Sequence, residues 1–186
     1  RSGGNALFTH ELVRFLVSEG LVERRAGVLR LVGEEGSFAR EMPEGLRDVV
    51  GKRLSRLSSS ANHVLGVAAV IGREFSYDLL SAASRIDDDD MLSALSLLEQ
   101  ADIIYRVGIS PSLHFAFKHA LLRDAIYDSL LRSKRQQIHA DIAAILEHDI
   151  PEFAENQPEI LAYHHQEAGN HQLAIRCWFE SGKRAL

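Results

Sequence analysis

The stretch Leu113 to Leu131, LHFAFKHALLRDAIYDSLL, decides how the rest of the chain is read. Its first half predicts a short strand, with Leu113, Phe115 and Phe117 on one face because side chains alternate along a strand. Its second half predicts an amphipathic helix, and His119 stands at the junction. A helix N-terminus presents backbone N–H groups with no partner inside the helix, which is where phosphate oxygens bind. His119 is therefore a candidate phosphate contact, set against the plainer reading of a capping or packing residue. The segments on either side of it discriminate between the two.

Immediately upstream, Ile103 to Val107 predicts a partner strand, joined through a turn at Gly108 to Ser112. Asp87 is placed to cap a helix carrying Met91, Leu92, Leu95 and Leu98, and the acids Asp87 to Asp90 suit the positive end of its dipole. Ser76 is placed to cap Tyr77 to Ser84. Asn62 to Ile71 is apolar nearly all round, which predicts a buried helix that follows a break at Ser58 to Ser60 and is closed by Gly72. Three short helices followed by a β-hairpin form the pattern of a winged helix.

The flanks are also helical. Phe8, Leu12, Phe15 and Leu16 follow helical spacing up to Gly20. Leu21 to Val32 predicts two short strands around Ala26-Gly27, and Gly33 to Glu41 a polar linker. Pro43 opens a helix with Leu46, Val49, Val50, Leu54 and Leu57 on one side. Downstream, Ile138, Ile142, Ile145 and Leu146 predict another amphipathic helix. After Pro151 and Pro158 come Glu159 to Ala168 and His171 to Ala185, split by Gly169-Asn170. This last pair resembles one hairpin of a tetratricopeptide (TPR) array, with Ala168, Ala174 and Gly182 at close-packing positions and Trp178 as its aromatic. One hairpin cannot bury its own face, so more repeats are expected beyond Leu186. The fold expected is mainly α with small β-hairpins, in three parts. Residues 1–57 form a lid-like helical region with a hairpin, 58–131 a winged-helix domain, and 132–186 a helical linker and the start of a TPR-like superhelix.

Composition sets outer bounds. The 186 residues are 46% hydrophobic and 25% charged, ordinary for a globular protein. Apolar runs such as Val67 to Ile71 are far too short to span a bilayer. The N-terminus lacks the apolar core of a signal peptide and lacks an initiator Met, so a fragment of a longer cytoplasmic protein is expected. Cys177 is the single cysteine, which excludes an intrachain disulfide. A net charge of −5 gives no support to binding of nucleic acid or an anionic membrane.

Few catalytic motifs survive inspection. Gly45 to Arg53, GLRDVVGKR, has five residues between its glycines and Arg53 where a phosphate-binding loop needs Ser or Thr, so it reads as an amphipathic helix. His164, His165 and His171 cluster, as do His114 and His119, but none has metal-site spacing, and His164 and His165 point to different faces of one helix. They read as solvated surface histidines. No nucleophile elbow occurs, and the Asp87 to Asp90 run lacks the pattern of a calcium loop. The third helix, DDDMLSALSLLEQ, has no Lys or Arg and begins with acid, so the winged helix reads as an interaction or regulatory module rather than a reader of DNA.

Three stretches together resemble the STAND ATPases, signalling switches related to AAA+ ATPases. The resemblance is to bacterial members, the large LuxR-type transcription regulators and the class III adenylate or guanylate cyclases with a fused ATPase. GGNALFTHELVRFLVSEGLV resembles the Gly-Asn-Pro segment that opens their lid helix. PEGLRDVVGKRLSRLSSSANHVLGVAAVIGREFSYDLL resembles the linker and first winged-helix element, and FAFKHALLRDAIYDSLL the strand–His–helix signature. The resemblance implies that Gly4, Asn5, Ala6 and Leu7 line the adenine side of a nucleotide, with Ala6 where proline is usual. It implies that His119 touches the β-phosphate of ADP. ATP or ADP with Mg would be held in a parent protein whose P-loop lies upstream, with none expected on this chain alone. The implied partners are that ATPase core and an inducer, protein or small ligand, acting through the repeats. The alternatives are an interaction scaffold with a decayed ATPase, which Ala6 motivates, and a DNA-binding regulator.

Overall fold

The computed structural model describes residues 13, 16, 17, 20, 22–25, 28–31, 54, 57–107, 113–149 and 156–184. The helices expected around Phe8 to Leu16 and after Pro43 fall mostly outside these, although Val13, Leu16, Val17 and Leu54 are helical. The linker Gly33 to Glu41 and the turn Gly108 to Ser112 also lie outside. The first hairpin is as expected: β1 (Val22–Arg25) pairs antiparallel with β2 (Val28–Leu31), Val22 opposite Leu31.

Helix α1 (Ser59–Ile71) starts because the Ser58 hydroxyl accepts from the Ala61 N–H at 3.1 Å. It ends at Gly72, whose φ of 153° suits only glycine. Between them Val64 to Val70 are all buried, because α1 is packed from several sides. Small residues permit that approach: a Cβ on Gly66 would stand 3.3 Å from Leu130 Cδ2.

Strand β3 (Glu74–Ser76) leads into α2 (Tyr77–Ser84), capped by Ser76, whose hydroxyl accepts from Leu79 N at 3.2 Å. Asp87 caps α3 (Asp88–Gln100) through a 2.8 Å bond from Asp90 N. Met91, Ala94, Leu95 and Leu98 form its buried stripe, whereas Leu92, expected among them, is 54% exposed because it falls one position off that face. Strands β4 (Ile104–Val107) and β5 (His114–Phe117) close a three-stranded antiparallel sheet in the order β3-β5-β4. Phe75 lies opposite Phe115 in register, stacked at 6.0 Å, and meets Phe117 edge-on at 5.7 Å. These rings seal the sheet onto the helices.

Four helices follow: α4 (Ala120–Ser129), α5 (Arg132–His148), α6 (Pro158–Ala168) and α7 (His171–Arg184). Helix α5 packs on α1 and α2, and Arg85 pairs with Asp141 across that seam at 2.9 Å. Helix α6 packs against both α5 and α7. Its end at Gly169 has a φ of 85°, the left-handed turn that starts the next helix. On α7 only Ala174 is buried. Gly182 has nothing within 4 Å of its Cβ position, so the close packing expected there is not made among the described residues. The molecule is thus mainly helical with a small antiparallel sheet. Among the described residues no helix is long and apolar enough to cross a membrane.

Candidate functional site

Two places gather side chains capable of chemistry. One is the β5–α4 junction. His119 is the N-cap of α4, with extended backbone (φ −132°, ψ 125°) because the strand runs straight into the helix. Its carbonyl accepts from Leu122 N at 3.1 Å and Arg123 N at 3.3 Å. Its ring makes no cap hydrogen bond and is only 5% exposed, so it is packed into the protein. The adjacent Lys118 is exposed and ion-paired with Asp102, which engages its charge. Gly4, Asn5, Ala6 and Leu7 lie outside the described residues.

The other place is where α4, α5 and α6 meet. His139 Nδ1 and His164 Nδ1 are 2.8 Å apart. His139 Nε2 lies 3.1 Å from the Tyr127 hydroxyl, which donates to Glu167 Oε2 at 3.4 Å. A carboxylate only accepts, and a phenol has one proton to give. With that O–H donated to Glu167, the Tyr127 oxygen accepts from His139 Nε2–H. His139 Nδ1 is then bare and accepts from His164 Nδ1–H. The four groups form a relay with one direction, from His164 to Glu167. The Arg123 and Arg135 guanidiniums stand 5.0 Å and 4.9 Å from the Tyr127 ring centre and hold it in place.

The electrostatics match this neutral relay. Burial, with Arg123 and Arg135 nearby, lowers His139 to about 4. Burial, with His139 and His165 as neighbours, lowers His164 to about 3. Burial, with Tyr163 and Glu167 beside it, pushes the Tyr127 phenol well above its usual range. Near pH 7 both histidines are therefore neutral, each with one N–H to give.

This corrects the expectation that His164 and His165 are solvated: they are 1% and 2% exposed. Both faces of α6 that carry them turn toward α5, where His164 meets His139 and His165 Nε2 meets Glu147 Oε1 at 3.1 Å. His171 and His114 are exposed. His139 went unsuspected in the sequence, yet it shares the buried face of α5 with Ile142, Ala143 and Leu146. That periodicity was the available signal. Among the described residues no group of three or more His, Cys, Asp or Glu side chains is placed to hold a metal ion. Burial and Glu147 raise the Cys177 thiol, which keeps it protonated and unreactive.

Over 185 residues, 99% of its length, the chain is 24% identical to an uncharacterised protein of Rhizobium meliloti (strain 1021), of which the match covers 17%. The chain thus spans less than a fifth of that relative. No protein-family model matches the chain, and no solved structure matches it.

Proposed function

We propose that this chain is the regulatory part of a multidomain nucleotide-switch ATPase of the STAND type. It would couple the ATP or ADP state of an upstream P-loop core to a TPR-type sensor and an output domain, for transcription regulation or cyclic-nucleotide synthesis. The observation that carries this reading is the β5–α4 junction, where His119 is buried at a helix start directly after the last strand. The order α1, β3, α2, α3, β4, β5 before it is in keeping with a winged helix. The short turn between α6 and α7 is in keeping with a repeat hairpin. Ile175, Trp178 and Phe179 on α7 are 68%, 44% and 63% exposed, in keeping with a hairpin that needs a following repeat to cover it. The far greater length of the relative is in keeping with a multidomain parent.

In this reading the His119 ring, packed inward here, turns outward to donate a hydrogen bond to the β-phosphate of ADP, a contact that a helix start favours. The remaining nucleotide contacts fall to residues outside those described. The nucleotide, when bound, supplies the charge that differs between the two states. With the contact made, the winged helix is clamped to the core; without it, the module is released and the population shifts. The test is His119→Ala in the full-length protein, with ADP retention and basal output as readouts. Faster ADP release and higher output are expected. Unchanged values of both refute the role.

A second reading, an interaction scaffold whose ATPase has decayed, rests on Ala6 and on the exposed apolar face of α7. It predicts that nucleotide titration of the full-length protein shows no binding. DNA binding is the weakest reading, because the solvent face of α3 carries Leu92, Ser93, Ser96, Leu97 and Gln100 behind three aspartates.

A further inference from the structure

A cleft of about 390 Å³ opens where the first turns of α5 face the α6–α7 turn. Its α5 wall carries Arg132, Arg135 and Gln136. Their spacing of i, i+3 and i+4 puts all three on one helix face. The wall opposite carries Gln166, Glu167 and His171. Gly169 lies between these walls, and even a Cβ there would stand 3.8 Å from Gln136 Nε2. A larger side chain would extend toward Gln136 and fill the opening.

The lining is too polar for an apolar ligand, and its charges are sorted. Arg135 is held by the Tyr127 ring at 4.9 Å and, among the described residues, forms an ion pair only with the exposed Asp128 at 3.6 Å. Arg132 makes no ion pair among the described residues. Two guanidiniums on one face match the oxygens of a phosphate, which they bind through charge-assisted bonds. Glu167 would repel a second anionic group but accepts hydroxyls, as it does from Tyr127 at 3.4 Å. Gln166 spends its carbonyl on Trp178 Nε1 at 3.3 Å and keeps its amide to donate.

We propose that this cleft binds a small phosphorylated polyol, such as a sugar monophosphate. The phosphate sits on Arg132 and Arg135, and the hydroxyls face Glu167, Gln136 and Gln166. The site uses no residue assigned to the nucleotide contact, so it stands or falls separately from the STAND reading. The experiment is calorimetric titration of the 186-residue chain with ribose 5-phosphate, inorganic phosphate and ribose at low salt. Saturable one-to-one binding of ribose 5-phosphate is expected, about tenfold tighter than inorganic phosphate, with ribose silent. Arg132→Gln, at an exposed position where folding is not at stake, weakens binding about tenfold or more. Lys183→Gln, outside the cleft, leaves it unchanged. Unsaturable binding, equal affinity for inorganic phosphate, or indifference to Arg132→Gln overturns the proposal.

Discussion

Acidification strikes this fold at a defined place. His139 and His164 hydrogen-bond to each other in the neutral state, with Arg123, Arg135 and His165 close enough to oppose any added proton. Their imidazoles titrate near 6.5 when unfolded and at about 4 and about 3 when folded. A lowered folded value means that the unfolded state takes up protons first as the pH falls. The stabilisation is therefore complete above pH 6.5 and is lost progressively below it, toward the folded values. At pH 5 each histidine costs about 2 kcal/mol, and the pair about 4 kcal/mol. That is a large part of the roughly 5–15 kcal/mol by which a domain is stable. Urea unfolding followed by far-ultraviolet circular dichroism, which reads all the helices together, at pH 7 and pH 5 reports the difference. The His139→Gln, His164→Gln variant, which has nothing to protonate there, should lose about 4 kcal/mol less over the same interval. An equal loss in both proteins would refute the reasoning.

Three further outcomes follow from the packing. Phe115→Ala removes the ring that stacks on Phe75 and should lower unfolding stability by about 3–5 kcal/mol in a urea titration. Arg123→Ala removes the bond from its Nε to the Ala69 carbonyl at 2.8 Å and should cost about 1–3 kcal/mol. It also removes a positive charge near His139, so an NMR titration should find that imidazole closer to its ordinary value. Asp87→Ala deletes the cap of α3 and should cost about 1 kcal/mol in thermal or urea unfolding, whereas Asp89→Ala, exposed and without a capping bond, should cost much less.

The elements legible in the sequence were those specified by local chemistry. Ser76 and Asp87 stand where caps are expected, and each accepts a first-turn N–H; within the break at Ser58 to Ser60 it is Ser58 that does the same for α1. Gly72 and Gly169 were read as stops, and both have the positive φ that favours glycine. The alternation of β5 predicted its buried phenylalanines. What was missed depended on tertiary context. His164 and His165 look polar on a helical wheel, and nothing local reveals that α5 covers both of their faces. The relay joins residues 12 and 25 positions apart, a pairing that no single-helix period encodes. Leu92 failed for the opposite reason: an apolar residue beside a stripe is counted with it until packing selects the face. For the proposed nucleotide contact, the sequence places His119 at the junction, and packing adds that its ring is buried.

The unequal burial of α1 and α7 sets a gradient of opening along the molecule. Helix α1 is held by neighbours on several sides, so its amides should exchange with solvent only when the whole fold is lost. Helix α7 anchors through a single buried alanine and can peel from α6 while the phenylalanine-sealed core stays closed. Its amides should exchange orders of magnitude sooner. Among the described residues, α7 is thus the element that a small free energy suffices to detach.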